Sequence, residues 1–195
     1  MHAITGSGWI EVISGSMFSG KTEELLRRLR RAEIAGQEIA VFTPALDNRY
    51  GETTIGTHNG RSWEASVVDN EGDGPWDVPE ELNGEMVVAI DEANFFSDAL
   101  VDVCQALAED DRRVIVSGTD QTYRGEPFDP LPDLMAVAEY VDKLQAICAK
   151  CGEPATRNQR LIEGEPAHAD DPTILVGAEE SYQARCRDCH VLRRD

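Results

Sequence analysis

The segment Gly15-Ser16-Met17-Phe18-Ser19-Gly20-Lys21-Thr22 limits what this chain can fold into more than any other feature. It fits the pattern G-x-x-x-x-G-K-[ST] and joins a short apolar run, Trp9–Ser14, to a stretch whose apolar residues recur at helical spacing. The chemistry requires that context. Glycines let the backbone curl until several N–H groups converge on phosphate oxygens, at the positive end of the helix that follows. Lys21 is then in reach of β- and γ-phosphates, and the Thr22 hydroxyl can ligate Mg²⁺. The segment predicts a nucleoside triphosphate such as ATP and says nothing about the acceptor.

From Thr22 onward, Leu25, Leu26, Leu29, Ala32 and Ile34 mark an amphipathic helix that Gly36 can end. Strands are predicted at Ile39–Thr43, closed by Pro44, at Ser62–Val68, at Met86–Ile90 and at Arg113–Ser117. Between the last two, Ser97 is placed to cap a helix with Leu100, Val103, Cys104 and Leu107 on its apolar face. Residues 45–60 and 70–84, rich in Gly, Asn, Pro or acids, read as connections. Strands alternating with helices predict an α/β fold, a P-loop (RecA-like) parallel sheet whose ligands gather at the carboxyl ends of strands. After Ile147 the pattern breaks into short segments with turn residues and cysteines. The expected division is a P-loop α/β core over 1–147 and a small cysteine-bearing unit over 148–195.

Charge excludes some partners. Among 195 residues there are 37 acids and 18 bases, a net charge of −19, and only Lys21, Lys143 and Lys150 are lysine. A field of that sign repels a phosphate backbone, so no nucleic-acid partner is expected. The acids are spread over loops and helix faces, the pattern of a heavily hydrated surface in a salty, halophilic cytoplasm where self-repulsion is screened. No apolar run reaches the roughly 20 residues that cross a bilayer, and Met1–Gly8 lacks the basic start and apolar centre of a signal peptide. A cytoplasmic protein without membrane attachment is expected.

Two further constellations carry chemistry. Asp91-Glu92 follows the apolar strand MVVAI, where a P-loop protein keeps its metal-associated acid. Adjacent residues at a strand end point opposite ways, so Asp91 can face Mg²⁺ while Glu92 faces the acceptor as general base. Cys148-x-x-Cys151 and Cys186-x-x-Cys189 stand 34 residues apart, and each pair can bite one side of a structural Zn²⁺. His190 is a candidate substitute ligand, and Cys104 reads as core.

Taken together, SGSMFSGKTEELLRRLRR (14–31), DNRYG (47–51), THNG (57–60), DEANFF (91–96), GTDQTYRGEPF (118–128), KLQAICAKCG (143–152) and SYQARCRDC (181–189) resemble the type II thymidine kinases, nearly end to end. The resemblance implies transfer of the ATP γ-phosphate to the 5′-hydroxyl of thymidine, with deoxyuridine as a second candidate acceptor. It implies that Gly15 through Thr22, with Asp91, Glu92, Ala93 and Asn94, hold the nucleotide. Glu92 would accept the hydroxyl proton, and Asp47 and Arg49 would stand by the transferring phosphate. Met17, Phe95, Thr119, Tyr123, Phe128 and Tyr182 would enclose base and sugar, and the lasso near Ile174 and Gly177 would meet the base through its backbone. A homotetramer inhibited by thymidine triphosphate (dTTP) is also implied. Asn94 stands where the family has glutamine, and Asn158 and the lasso's acids are further departures.

Three other classes compete. One is a P-loop switch or motor in which hydrolysis drives conformational change; its GTPase form would carry an Asn-Lys-x-Asp guanine motif, which is missing from the sequence. A zinc-ribbon nucleic-acid binder conflicts with the charge and leaves the phosphate loop without a purpose. In a nucleoside monophosphate kinase with a zinc lid, the cysteines would interrupt the core midway, whereas here they close the chain.

Overall fold

The computed structural model describes residues 8–45, 54–56, 62–72, 74–173 and 180–194. In chain order these form strand β1 (Trp9–Gly15), helix α1 (Lys21–Ile34), β2 (Ile39–Pro44), β3 (Thr54–Gly56), β4 (Ser62–Glu64), β5 (Ser66–Val68) and a short α2 (Asp77–Glu80). β6 (Val87–Ile90), α3 (Ala99–Glu109), β7 (Arg113–Gly118), α4 (Leu131–Val137) and β8 (Tyr140–Leu144) complete the core. Beyond it come β9 (Ala146–Ile147), β10 (Pro154–Ala155), β11 (Arg157–Ile162), β12 (Glu165–Pro166) and β13 (Glu180–Arg185).

Six strands make one sheet in the order β5-β2-β6-β7-β1-β8, every pair parallel. Its central strands are apolar on both faces because helices cover both. Ile13, Val41, Ala89 and Ile115 pack against Leu25 and Leu29 of α1. Val12, Ile90, Val114 and Val116 pack on the other face against Leu100, Val103 and Leu107 of α3 and Leu131 and Leu134 of α4. This is the expected α/β fold, and it brings the carboxyl ends of β1, β6 and β7 together at one rim. No helix among the described residues is long and apolar enough to cross a membrane.

Four local expectations are corrected. Ser62–Val68 is two strands, because the chain changes partner at buried Ala65: β4 pairs antiparallel with β3, and β5 joins the main sheet beside β2. Ser97 does not cap α3; its hydroxyl donates to the Gly72 carbonyl at 2.8 Å, and the helix begins at Ala99 without a side-chain cap. Ile34 lies past the buried stripe of α1 and is 80% exposed, and Met86 precedes β6 on the surface. α4 is an element that the sequence reading left out.

The far rim of the sheet holds an ionic cluster. Glu11 of β1 accepts from Arg28 at 2.7 Å and Arg113 at 2.7 Å, and Arg28 also reaches Asp142. Burial pushes the Glu11 carboxyl up, but Arg113, Trp9 and Arg28 outweigh it and hold it low. The open groove of about 1060 Å³ beside this cluster contains none of the candidate residues.

The last part of the chain is built from small antiparallel pieces. β11 lies between β12 and β13, and β9 pairs with β10. Its core is slight: Ala146, Cys148, Ala155 and Ala184, with Cys186 and Cys189 packed against them. So little apolar area stabilises a fold poorly without a further tie.

Candidate active site and metal centre

The phosphate loop leaves β1 at Gly15, whose φ of 148° and surroundings both require glycine, since a Cβ there would stand 2.6 Å from the Leu144 carbonyl oxygen. The loop then turns through Phe18 in left-handed backbone (φ 64°) and Gly20 (φ 86°). α1 starts without a side-chain cap, so its first-turn N–H groups are left for a ligand. Lys21 Nζ donates to the Ser16 carbonyl at 3.1 Å. Burial pushes the Lys21 ammonium down, while Glu92, Asp91 and Asp120 pull it back.

Asp91 and Glu92 leave the end of β6 toward this loop. Asp91 is buried, and its Oδ1 accepts the Glu92 N–H at 3.0 Å. Burial raises its carboxyl, opposed by Ser117, the Glu92 N–H and Lys21. Glu92 adopts left-handed backbone (φ 51°), a strain that non-glycine residues bear mainly at functional sites. Its carboxyl is pushed up to about 7, first by burial and then by the Asp91 charge, with Lys21 acting the other way. A carboxylate poised near neutrality suits a general base, and a second buried carboxyl beside it offers oxygen to a cation.

The atoms around the loop suit a polar guest. The Ser19 hydroxyl and Asp120 Oδ1 are buried without a hydrogen-bond partner among the described residues, next to the uncapped helix start. Those groups, with Lys21, Thr22 and Asp91, suit a phosphate chain and its magnesium. Asp120 had no place in the sequence reading. It follows the end of β7, pairs through Oδ2 with Lys143 of β8, and adds a third carboxylate to the field at Lys21. Its position just past a strand's carboxyl end was the signal that could have found it.

The residues expected around base and sugar divide. Phe95 and Phe128 are half-buried and meet edge to face, centroids 6.1 Å apart. Thr119 is buried and its N–H donates at 2.7 Å to Asn94 Oδ1, so this amide ties the end of β7 to the turn after β6. Tyr123 is 4% exposed, and its hydroxyl lies 2.9 Å from the His168 carbonyl and 2.6 Å from the Asp171 carbonyl. The guanidinium groups of Arg124 and Arg160 lie over its ring, 4.8 Å and 5.1 Å from the centroid. Arg124 also donates to the Ala169 carbonyl and to Thr173, and Arg160 to the Pro172 carbonyl. Tyr123 therefore fastens the segment 168–173 from below. Met17 and Phe18 crown the loop, Phe18 well exposed, Ala93 is buried beneath Glu92, and Tyr182 lies on β13 opposite Arg160. Asp47, Arg49, Ile174 and Gly177 fall outside the described residues.

The four cysteines converge. The Sγ atoms of Cys148, Cys151, Cys186 and Cys189 all lie within 4.8 Å of one another, and Cys151 and Cys186 are 3.6 Å apart. A tetrahedral site with Zn–S bonds of about 2.3 Å has sulfur–sulfur edges of about 3.8 Å, so the set fits zinc. Burial pushes the Cys148 thiol up, but backbone N–H groups of Cys186, Lys150 and Cys151 outweigh it and bring it down to about 6. The neighbouring sulfurs of Cys186 and Cys151, crowded into the same small volume, push Cys189 up to about 12. His190 is no ligand: its Nε2 is 2.8 Å from the Tyr123 carbonyl, away from the cluster. Cys104 is fully buried in the core, and its thiol is pushed up by burial.

A parallel sheet with a phosphate loop, two carboxylates at the neighbouring strand end and a four-cysteine unit defines a P-loop phosphotransferase with a zinc-type appendage. Residues 8–190 match the family model described as thymidine kinase. Thymidine kinases of Halobacterium salinarum, strains R1 and NRC-1, are each 73% identical over the full length of both chains, and that of Haloquadratum walsbyi is 64% identical, again covering both chains completely. The chain belongs to the thymidine kinase family. Its acidic surface accords with relatives from these salt-loving organisms.

Proposed function

We propose that this protein transfers the γ-phosphate of ATP to the 5′-hydroxyl of thymidine in the cytoplasm, with Glu92 as the base. The observation that carries this reading is the Glu92 carboxyl, raised to about 7 and fixed by left-handed backbone at the end of β6 beside Asp91 and Lys21. Loop N–H groups and Lys21 would bind the phosphate chain and hold it in line. Asp91 and the Thr22 hydroxyl would hold magnesium, which supplies neutralisation of the charge on the β- and γ-phosphates. Glu92 would take the proton of the 5′-hydroxyl as its oxygen attacks phosphorus. Phe95 and Phe128 offer an aromatic wall for a flat base. Asp47, Arg49 and the lasso residues Ile174 and Gly177 take part on the strength of the family resemblance alone.

Zinc on the four cysteines would tie the two ends of the 34-residue lasso and stand apart from the reaction. The homotetramer and the inhibition by dTTP likewise rest on the resemblance. A coupled assay of ADP release with a panel of nucleosides tests the central reading. ADP should form with thymidine, in parallel with the monophosphate, and not with purine nucleosides. ADP release that ignores the nucleoside would leave an ATPase instead.

A further inference from the structure

We propose that Asn158 is a positioning residue for the phosphate loop, through which the cysteine-anchored part of the chain sets the geometry of the triphosphate site. The proposal rests on the reading that residues 15–22 hold ATP. Asn158 lies on β11, is 4% exposed, and bonds two distant backbone groups through its amide. Its Oδ1 accepts the Met17 N–H at 2.8 Å, and its Nδ2 donates to the Gln121 carbonyl at 2.8 Å. The orientation is forced, because an N–H can only donate and a carbonyl can only accept. One side chain therefore joins three segments: the loop after β1, the turn after β7, and β11.

A second link runs alongside. The Ser16 hydroxyl donates to the Ala155 carbonyl at 3.4 Å, from the strand just before β11. Behind these links β11 pairs along its length with β13, whose end leads to Cys186 and Cys189. The Ala149 N–H, between the other two cysteines, bonds to the Ala184 carbonyl at 2.9 Å. The cysteine cluster and the loop crown are thus connected by a continuous chain of hydrogen bonds.

The loop needs such a hold at this point. Phe18, next to Met17, carries left-handed backbone and is 61% exposed, so it gains little from packing to offset that strain. With the Met17 N–H fixed by Asn158, the turn at Phe18 is the one that leads Ser19 and Gly20 into the start of α1. Released, the turn can relax toward ordinary φ and swing the N–H groups that face the phosphates.

The test compares native protein with Asn158→Leu, which keeps the branched outline of the side chain and loses both bonds. The Kd of a non-hydrolysable ATP analogue with Mg²⁺ is measured by calorimetry in concentrated KCl, together with kcat, both KM values and metal content. Losing a buried polar link of this kind predicts a roughly ten- to hundredfold weaker Kd and a matching rise in the KM for ATP. Zinc content should stay native. An unchanged nucleotide Kd with a lower kcat would mean a smaller active fraction, and would overturn the proposal. If Asn158→Leu does not fold, Asn158→Thr carries the test: one hydroxyl can serve only one of the two partners. Affinity should fall in the same direction by a smaller factor, and native affinity overturns the proposal. Native protein that binds the analogue but makes no ADP with thymidine would refute the proposed reaction and leave this test standing.

Discussion

Removing the Tyr123 hydroxyl, and then the ring, separates what each contributes to holding the segment that leads into the lasso. In Tyr123→Phe only the hydroxyl is lost. It lies within bonding distance of three carbonyls but has one hydrogen to donate, so one donated bond disappears. All three carbonyls keep another donor: the Asp171 N–H for His168, and Arg124 for Ala169 and Asp171. No acceptor is orphaned, and the cost is that of a single satisfied bond, about 1 kcal/mol. Tyr123→Leu removes the ring as well. Arg124 at 4.8 Å and fully buried Arg160 at 5.1 Å then lose the face they rest on. Cation–π contacts run from about 0.5 kcal/mol when exposed to about 2 kcal/mol when desolvated, which brings the expected total for the leucine variant to about 4 kcal/mol. Urea unfolding in concentrated KCl, at matched m-values, measures both. Because the hydroxyl faces the protein's own carbonyls, Tyr123→Phe should leave the KM for thymidine within about twofold. A leucine variant no less stable than the phenylalanine one would refute the contribution of the two guanidinium–ring contacts. A tenfold rise in thymidine KM for Tyr123→Phe would put the hydroxyl on the substrate instead.

Lys21→Ala should abolish transfer with the fold intact by circular dichroism, and near-native turnover would disprove the loop's role. Glu92→Gln should lower kcat by about 10²–10⁴-fold with ATP-analogue binding preserved, read by single-turnover kinetics. Because burial and Asp91 raise the Glu92 carboxyl, the base must lose its proton before it acts, so kcat/KM for thymidine should rise with pH and level off above about 7. That acid limb should vanish in Glu92→Gln; a pH-independent native rate between pH 5 and 7 would remove Glu92 as base. Metal analysis should find about one zinc per chain, and stripping it should lower Tm by about 10 °C or more. A zinc-free protein with native Tm would contradict the structural role of the cysteines.

What could be read in the sequence was what is local in the chain. Gly15–Thr22, Asp91-Glu92 and the two Cys-x-x-Cys pairs each carry their chemistry within a few residues, so spacing alone exposes them. The sheet was legible because its central strands are apolar on both faces, and α3 because Leu100, Val103, Cys104 and Leu107 repeat at helical spacing and are all buried. Contacts between distant segments left no such trace. Nothing in RNQRLI shows that Asn158 reaches back 141 residues to Met17, or that Arg160 is wholly enclosed against Tyr123. The change of partner at Ala65 is invisible for a related reason. A run of residues suited to strands keeps the same pattern whichever sheet it joins.

The place of β1 in the sheet bears on how the protein is made. The first strand synthesised ends between β7 and β8, so neither of its neighbours exists until the chain has grown past Arg113 and then to Leu144. At ribosomal rates of about 5–20 residues per second, those roughly 100 residues take on the order of 5–20 s. For that interval Trp9–Gly15 is an apolar segment outside the sheet, open to chaperones or to the same segment on a neighbouring nascent chain. Completion of the ATP loop waits longer still, until Asn158 has emerged. The abundance of acids around this late-closing core would then serve synthesis as well as solubility, since like-charged nascent chains keep apart while β1 waits.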